Sequence, residues 1–134
     1  MAENKEEVYK LTLDAMEKTL GFEFADIFII NGKMLCLVVH RGYSKNLSLK
    51  LPLDGEKGIT VRAARVGKPV YVPDVRKEKA YVKGGEDILS DLAVPIKIGN
   101  KVLGVLNVET KDLRRLMKMI EDCSKHWLRM PQLP

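Results

Sequence analysis

Two tight turns fix most of what this chain can fold into. They are Asn31-Gly32 and Gly99-Asn100. Each turn separates two apolar or alternating segments, Ala25–Ile30 and Met34–Val39 for the first, Asp91–Ile98 and Lys101–Glu109 for the second. A two-residue loop of Gly and Asn adopts the primed turns that join antiparallel strands. The sequence therefore predicts two β-hairpins and a mainly antiparallel sheet.

Helical periodicity lies at both ends of the chain. Glu6–Leu20 carries an apolar stripe at i, i+4, i+7 and i+11, and Lys111–Leu128 follows the i, i+3, i+4, i+7 rule. A weaker helix is expected at Gly58–Val66. The segments between are predicted as a connection, a short strand and a polar loop with at most one short helix: Lys50–Gly55, Pro69–Val75 and Arg76–Leu89.

These elements predict an α+β fold. Its sheet is mainly antiparallel with five to six strands, its N- and C-terminal helices cover one face, and ligand loops cover the other. The 134 residues correspond to a single domain, 1–134, with a core of about 6–128. The longest apolar run, Met34–Val39, has six residues. A membrane-spanning helix needs about 20 residues. With no secretory h-region at the N-terminus, the expected location is cytoplasmic and no membrane partner is expected.

Charge and cysteine content narrow the classes of partner. The net charge is +5, with three lysines and seven acidic residues in positions 1–30 and 20 basic against 11 acidic residues in 31–134. No aromatic residues are interleaved with the basic ones as stacking platforms, so nucleic acid is not the expected partner. Two cysteines, Cys36 and Cys123, and two histidines, His40 and His126, are too few and too scattered for a metal site. We expect no metal and no cofactor.

Three phrases carry a resemblance to a known family. They are Gly58–Val75 (GITVRAARVGKPVYVPDV), Ser90–Thr110 (SDLAVPIKIGNKVLGVLNVET) and the hydrophobic hairpin followed by a loop that precedes them. Together they resemble the GAF domain, a small-ligand sensor module whose fold is close to that of PAS domains. The resemblance implies a ligand site between the sheet and the covering loops, here Arg76–Leu89. It also implies pairing through the first and last helices, because GAF domains often dimerise in this way.

Strand alternation then sorts the candidate site residues. In the last strand, one set of side chains should pack under the terminal helices and the other should face the ligand: Val102, Gly104, Leu106 and Val108 against Leu103, Val105, Asn107 and Glu109. Gly104 is expected to accept close packing from a helix, and Pro95 to mark an edge-like or bulged point in its strand. The candidate ligand-binding residues are Asp91, Asn107, Glu109, Tyr81, Asp74 and Ser90.

Several roles stay open for these residues. Asp91 and Glu109 suit the ammonium of an amino-acid-like ligand or a base edge, or form a partly solvated pair at a strand end. Tyr81 either stacks on a ligand or anchors its loop, and Asp74 is also a natural Asx-turn former. A basic rim from Arg62, Arg65, Lys77, Lys79 and Lys83 would bind the carboxylate of a zwitterion, or is ordinary solvated surface.

One branch of the GAF family is enzymatic and reduces free methionine-(R)-sulfoxide with pocket cysteines. The resemblance places Thr60 and Gly84 at about the positions of those cysteines, and neither residue can supply the thiolate that attacks the sulfoxide sulfur. The favoured function is therefore a non-catalytic small-molecule sensor with no catalytic residues. The alternatives are a reductase-like enzyme and a ligand-free dimerisation module. We expect a homodimer built from Glu6–Leu20 and Lys111–Leu128, with Trp127 as a candidate contact, or a partner protein that carries the signal.

Overall fold

The computed structural model describes residues 4–43 and 49–129, with side chains described up to residue 122. It contains three α-helices, six strands and one 3-10 turn. In chain order these are α1 (Lys5–Leu20), β1 (Phe24–Asn31), β2 (Met34–Arg41), β3 (Lys50–Pro52), α2 (Ile59–Val66), β4 (Val70–Val72), the 3-10 turn (Val75–Lys77), β5 (Ser90–Ile98), β6 (Lys101–Thr110) and α3 (Arg115–Arg129).

All six strands form one antiparallel sheet in the order β3-β2-β1-β6-β5-β4. The two predicted hairpins, β1-β2 and β5-β6, are present, and β1 and β6 lie side by side at the centre. The predicted α+β class with a mainly antiparallel sheet is confirmed. Because β1 and β6 are central, a side chain on either strand is enclosed by neighbouring strands on both sides.

The edge strands are where the sequence prediction was wrong. The predicted connection Lys50–Gly55 contains β3, which pairs with Met34–Cys36 of β2. Pro52 argues against a central strand, because proline within a sheet is confined to edge strands and bulges. The strand was therefore not predicted, although an edge strand such as β3 tolerates the proline. The predicted strand Pro69–Val75 is reduced to β4, because the Asp74 carboxylate accepts the Arg76 N–H and opens the 3-10 turn. Pro95 lies beyond the last β4–β5 pair, Val70 with Ala93, so this part of β5 is an edge as predicted.

The terminal helices cover one face of the sheet. Leu13 of α1 is 1% exposed and packs against Ala25 and Ile27 of β1. Leu116 of α3 is fully buried against Val108 of β6, together with Phe22 from the α1–β1 connection. The opposite face is covered by α2 and the loops around it, which form the largest apolar cluster of the described chain. The predicted division of the two faces is confirmed.

The alternation predicted for β6 breaks at one point. The β5–β6 register shifts between Ile96 and Lys97, which pair with Gly104 and Val102 respectively and leave Leu103 as an extra residue. As a consequence Val102 packs with the cluster on the α2 face, not under the terminal helices as predicted. A bulge of this kind exchanges the faces of the residues on either side of it.

Gly104 also differs from its predicted role. A Cβ at position 104 would overlap the backbone carbonyl oxygen of Phe28 and crowd Ile29, both on β1. The glycine therefore allows close approach of the neighbouring strand, not of a helix. Among the residues that the structure describes, no helix is both long and apolar enough to cross a membrane.

Candidate functional site

Three carboxylates meet on the face of the sheet that α2 covers. Asp26 lies on β1, Glu109 on β6 and Asp91 on β5, three strands that are adjacent in the sheet. The register pairs Asp26 with Asn107 and Asp91 with Glu109. Residues directly opposite each other in an antiparallel pair point to the same face. The sheet alone therefore gathers these acids and the Asn107 amide into one cluster.

The cluster is buried. Asp91 is 2% exposed, and Asp26, Asn107 and Glu109 are 4–5% exposed. Burying an ionised carboxylate is costly unless hydrogen bonds or opposite charge compensate it. Only Glu109 has a full set of such bonds: the Tyr43 hydroxyl donates to its Oε1 and the Tyr81 hydroxyl donates to its Oε2 at 2.6 Å.

The remaining polar groups of the cluster are incompletely satisfied. Asp26 Oδ1, Asp91 Oδ1 and Asn107 Oδ1 are buried and have no hydrogen-bond donor among the residues that the structure describes. The Asn107 oxygen is always an acceptor, and the two aspartate oxygens are acceptors when the acids are ionised. Buried acceptors left open in this way are uncommon in native proteins, and three of them in one place require an explanation.

The electrostatics follow from the burial. Desolvation raises the pKa of Asp91 well above its ordinary range, and the nearby charges of Glu109 and Asp26 raise it further. Burial and the charge of Glu109 raise the pKa of Asp26 in the same way, against weaker opposing hydrogen bonds from Asn107 and Tyr43. The pKa of Glu109 is also raised by burial, although its two tyrosine donors and Asn107 lower it. Burial beside these acids raises the pKa of Tyr43 and Tyr81, so both phenols stay protonated.

A small cavity opens above the cluster, with a volume of about 30 Å³. Its polar lining comes from the acids, Asn107, Thr60 at the start of α2 and Tyr81. Its apolar lining comes from strands β1 and β3, the start of α2 and the flanking loops, namely Phe28, Leu49, Leu51, Gly58, Ile59 and Val82. No lysine, arginine or histidine is among the described residues that line it.

The structure brings together four of the six predicted site residues. Asp91, Asn107, Glu109 and Tyr81 all line the cavity. Ser90 is buried but does not line the cavity, and its hydroxyl donates to the Pro73 carbonyl oxygen at 2.7 Å. Asp74 lies away from the cavity and binds Arg76 through both its carboxylate oxygens.

Two residues of the site were missed by the sequence analysis. Asp26 interrupts the apolar run of β1, and a charged residue in a run that is otherwise buried is a signal that was available. Tyr43 follows β2 and reaches Glu109 from 66 positions away in the chain. Only the tertiary structure shows that contact.

The predicted basic rim is largely engaged elsewhere. Arg62 pairs with Glu78 at 2.9 Å, and Lys83 pairs with Asp87 at 2.9 Å. Arg65 donates to the Gly55 carbonyl oxygen at 3.1 Å. These contacts favour the solvated-surface interpretation of the rim.

The cysteine that the structure describes lies on the far side of the sheet. Leu35 and Leu37 of β2 pack into the cluster on the α2 face, so strand alternation directs Cys36 to the opposite face. Thr60, which the resemblance places at about the position of a reductase cysteine, lines the cavity. The Cys123 side chain lies outside the described residues. The described cavity lining therefore contains hydroxyls and carboxylates but no thiol.

The chain was compared with known proteins. A sequence model described as the GAF domain matches residues 2–118. The Nif-specific regulatory proteins of Azospirillum lipoferum and Azospirillum brasilense are each 31% identical to this chain over 83 residues, which is 57% of this chain. The chain matches only 13% of the length of these relatives.

Solved structures show the same fold. The A. aeolicus nlh2 GAF domain in an inactive state superposes with a TM-score of 0.71 at 27% identity, covering 87% of this chain and 77% of that one. The type II free methionine-R-sulfoxide reductase of Thermoplasma acidophilum superposes with a TM-score of 0.70 at 14% identity, covering 83% of this chain and 77% of that one. The second likeness concerns the fold alone. The sheet order, the helices on both faces and the match over residues 2–118 show that this chain belongs to the GAF domain family.

Proposed function

We propose that this chain is a non-catalytic regulatory GAF domain that binds a small molecule in the cavity above the acid cluster. The observation that carries the proposal is a set of three buried oxygens, on Asp26, Asp91 and Asn107, for which the described part of the chain supplies no donor. Polar groups that converge on an apolar-lined cavity are typical of small-molecule sites. A bound ligand supplies the missing partners, and its arrival changes the packing of the surrounding loop.

The relatives support a regulatory role. The similar segment belongs to Nif-specific regulatory proteins, which are much longer than the matched part. In such an arrangement the GAF domain receives a signal and another unit acts on it.

A sulfoxide reductase is the alternative that the fold permits. Its chemistry requires a thiolate within reach of the substrate sulfur. Thr60, at about the position where the resemblance places a reductase cysteine, lines the cavity, and Cys36 faces the other side of the sheet. We therefore expect binding without turnover.

The function is tested by measuring the melting temperature of the full chain against a library of small metabolites. Compounds that raise it are tested again on Asp91→Asn and on Asp87→Asn, whose carboxylate is exposed and pairs with Lys83. Ligand stabilisation should be lost in the first variant and retained in the second. A library that yields no stabilising compound would instead favour the ligand-free dimerisation module.

We further propose that the chain forms a homodimer through its terminal helices. Val8, Leu11 and Leu20 of α1 are 46–58% exposed and lie along a surface groove. Leu113 and Met117 add exposed apolar surface at the start of α3. Groups of exposed apolar side chains commonly mark association sites. Trp127, the predicted contact residue, lies outside the described side chains.

The dimer is tested by sedimentation of wild-type protein and of Leu11→Glu at the same concentrations. The wild-type chain should sediment as a dimer and the variant as a monomer with an unchanged circular dichroism spectrum. Val66→Glu, equally exposed but on α2, is the matched control and should stay dimeric. A wild-type monomer at high protein concentration would end the proposal.

A further inference from the structure

Glu109 connects three parts of the chain. The Tyr43 hydroxyl donates a hydrogen bond to its Oε1, and the Tyr81 hydroxyl donates to its Oε2 at 2.6 Å. Tyr43 follows strand β2, and Tyr81 lies in the loop that covers the cavity. A hydrogen bond in a buried region of low dielectric is stronger than one in water. The position of each tyrosine ring therefore depends on the hydrogen bonds of Glu109.

The chain next to Tyr43 holds helix α1. Arg41 lies two residues before Tyr43, and one nitrogen of its guanidinium group donates to carboxylate oxygens of Asp14 and Glu17 on α1, to the second at 3.3 Å. This short segment thus contacts the acid cluster through Tyr43 and helix α1 through Arg41.

A second set of contacts with α1 also begins at Glu109. Six residues further along the chain, the guanidinium group of Arg115 donates to the backbone carbonyl oxygens of Leu20 and Gly21, to the first at 3.2 Å. Carbonyl groups at the C-terminal end of a helix have no partner within the helix. The same guanidinium group lies 4.9 Å from the centroid of the Phe22 ring. The start of α3 is therefore attached to the end of α1.

The two sets of contacts meet at Phe24, the first residue of β1. Phe24 is paired with Glu109 in the β1–β6 register, and the Tyr43 ring lies edge-on to it with 5.5 Å between the ring centroids. The Lys111 ammonium group lies 5.3 Å from the centroid of the Phe24 ring. A Cβ at Gly42 would overlap the backbone of the α1–β1 connection. Because packed groups transmit displacement, a shift of Tyr43 acts directly on the connection that follows α1.

Tyr81 leads to a different helix. In its loop, the Ala80 carbonyl oxygen accepts the backbone N–H of Gly58 at 2.6 Å, and the Glu78 carboxylate accepts an N–H of Arg62 at 2.9 Å. Gly58 precedes α2, and Arg62 lies within it. The two phenols that share Glu109 are therefore attached to different helices, the first to α1 and the second to α2.

We propose that Glu109 and Tyr43 link the cavity to helix α1, with Arg41 and Arg115 as the positioning residues that attach the helix to this link. A ligand that alters the hydrogen bonds of Glu109 shifts Tyr43 and changes how firmly α1 is held on the sheet. This inference rests on the proposed function and names how occupancy of the cavity is passed on. Since α1 carries the exposed apolar side chains of the proposed dimer, the link joins the ligand site to that surface.

The experiment measures hydrogen–deuterium exchange of the backbone amides in the ¹⁵N-labelled full chain. Tyr43→Phe and Tyr81→Phe each remove one hydroxyl donor from Glu109 and keep the ring. Tyr43→Phe should speed exchange of the Gly21 amide, which closes the last turn of α1, by about tenfold, the effect of one buried hydrogen bond. It should leave the Gly58 amide unchanged. Tyr81→Phe should have the opposite pattern, with faster exchange at Gly58 and none at Gly21.

A double substitution tests the attachment to α1. Combined with Arg41→Gln, Tyr43→Phe should have a smaller effect on exchange in α1, because the contact that carries the effect is already broken. Arg76→Gln is the matched control, since Arg76 also pairs with a carboxylate, that of Asp74, but not with α1. In the Arg76→Gln background the effect of Tyr43→Phe should be complete.

A second variant keeps the test available if Tyr43→Phe does not fold. Glu109→Gln weakens the acceptor of both phenols and should speed exchange at both Gly21 and Gly58. Equal exchange at Gly21 in Tyr43→Phe and Tyr81→Phe would overturn the inference, because it would show a general loss of stability and no directed link. An undiminished effect of Tyr43→Phe in the Arg41→Gln background would also overturn it.

Ligands from the metabolite library separate this inference from the proposed function. A compound that stabilises the chain should change exchange in α1 of wild type, and should do so less in Tyr43→Phe. If a stabilising compound leaves α1 exchange unchanged, the regulatory function survives and the link is wrong. If the variants behave as expected and the library yields no ligand, the link from Glu109 to α1 stands and the regulatory function is wrong.

Discussion

The two faces of the sheet use the same strands for different purposes. On the face under the terminal helices, β1 presents Ala25 and Ile27 to Leu13 of α1. On the other face, the alternate residues of the same strand are Phe24, Asp26 and Phe28, and the acid lies among apolar side chains. The first face is built by apolar burial, which stabilises the fold. The second carries a buried acid cluster, which costs stability and is the proposed binding site.

A small sheet can in this way carry an apolar core on one face and a buried acid cluster on the other. A side-chain period of two places neighbouring residues on opposite faces. Substitutions at adjacent positions therefore have different consequences, and each face can be altered without changing the other.

The largest effect is expected on the helix-covered face. Leu13→Ala leaves a cavity against Ala25 and Ile27, and should lower the free energy of unfolding by about 3 kcal/mol. Urea denaturation measures this, with Ile98→Ala, at a site that is 71% exposed, as a control expected within about 0.5 kcal/mol of wild type. A loss for Leu13→Ala as small as that of the control would show that α1 is not packed on the sheet as described.

Gly104 tests the close approach of strands β1 and β6. A methyl group there collides with the β1 backbone, and Gly104→Ala should cost about 2 kcal/mol, measured by the same denaturation. Gly99→Ala is the comparison, because its Cβ meets open space and its cost, about 1 kcal/mol, comes from the positive φ alone. If the two variants lost the same stability, the close approach of β1 and β6 would not be the reason for the glycine.

A substitution in the acid cluster, on the second face, should raise the free energy of unfolding instead of lowering it. Asp91→Asn removes a buried carboxyl and should raise the free energy of unfolding at neutral pH by about 1 kcal/mol, at the expense of binding. Because the folded-state pKa of Asp91 is raised above the unfolded value of about 3.9, its contribution is present below that value and is lost as pH rises through the raised pKa.

The pH dependence of the free energy of unfolding tests this expected direction. Wild-type stability, measured by denaturation from pH 4 upward, should fall more steeply than that of Asp91→Asn as pH rises. Asp87→Asn should follow the wild-type slope closely, since its carboxylate is exposed and its pKa is lowered by Lys83. A variant less stable than wild type at neutral pH would mean that an unseen partner already compensates Asp91.

The smallest effect is expected for the cysteines. The chain should show no turnover of free methionine-(R)-sulfoxide in a thioredoxin-coupled assay, and Cys36→Ser should not alter ligand binding, because Cys36 faces away from the cavity. Turnover that survives in the Cys36→Ser, Cys123→Ser double variant would refute the requirement for a thiol. Turnover lost in that variant would show that the site lies elsewhere.

Much of the fold followed from local signals. The two turns and the apolar periodicities correctly predicted both hairpins, all three helices and the face that the terminal helices cover. The errors in element bounds concern the two short edge strands. β3 and β4 have three residues each, too few for a periodic pattern to be detected. Asp74, which follows β4, accepts the Arg76 N–H and begins the 3-10 turn. The bulge at Leu103 changed the face of Val102, because register depends on the partner strand.

The candidate site divides in the same way. Alternation along β6 placed Asn107 and Glu109 on one face. Asp91 in the preceding strand and Tyr81 in the covering loop were predicted to lie at the same site. What the sequence determined by itself was therefore which residues share a face, since that depends on a local period of two. Tertiary structure decided which of them meet. The pairing of β1 with β6 brings Asp26 to Asn107, and the packing of the segment after β2 brings Tyr43 to Glu109, across separations for which the sequence carries no local signal.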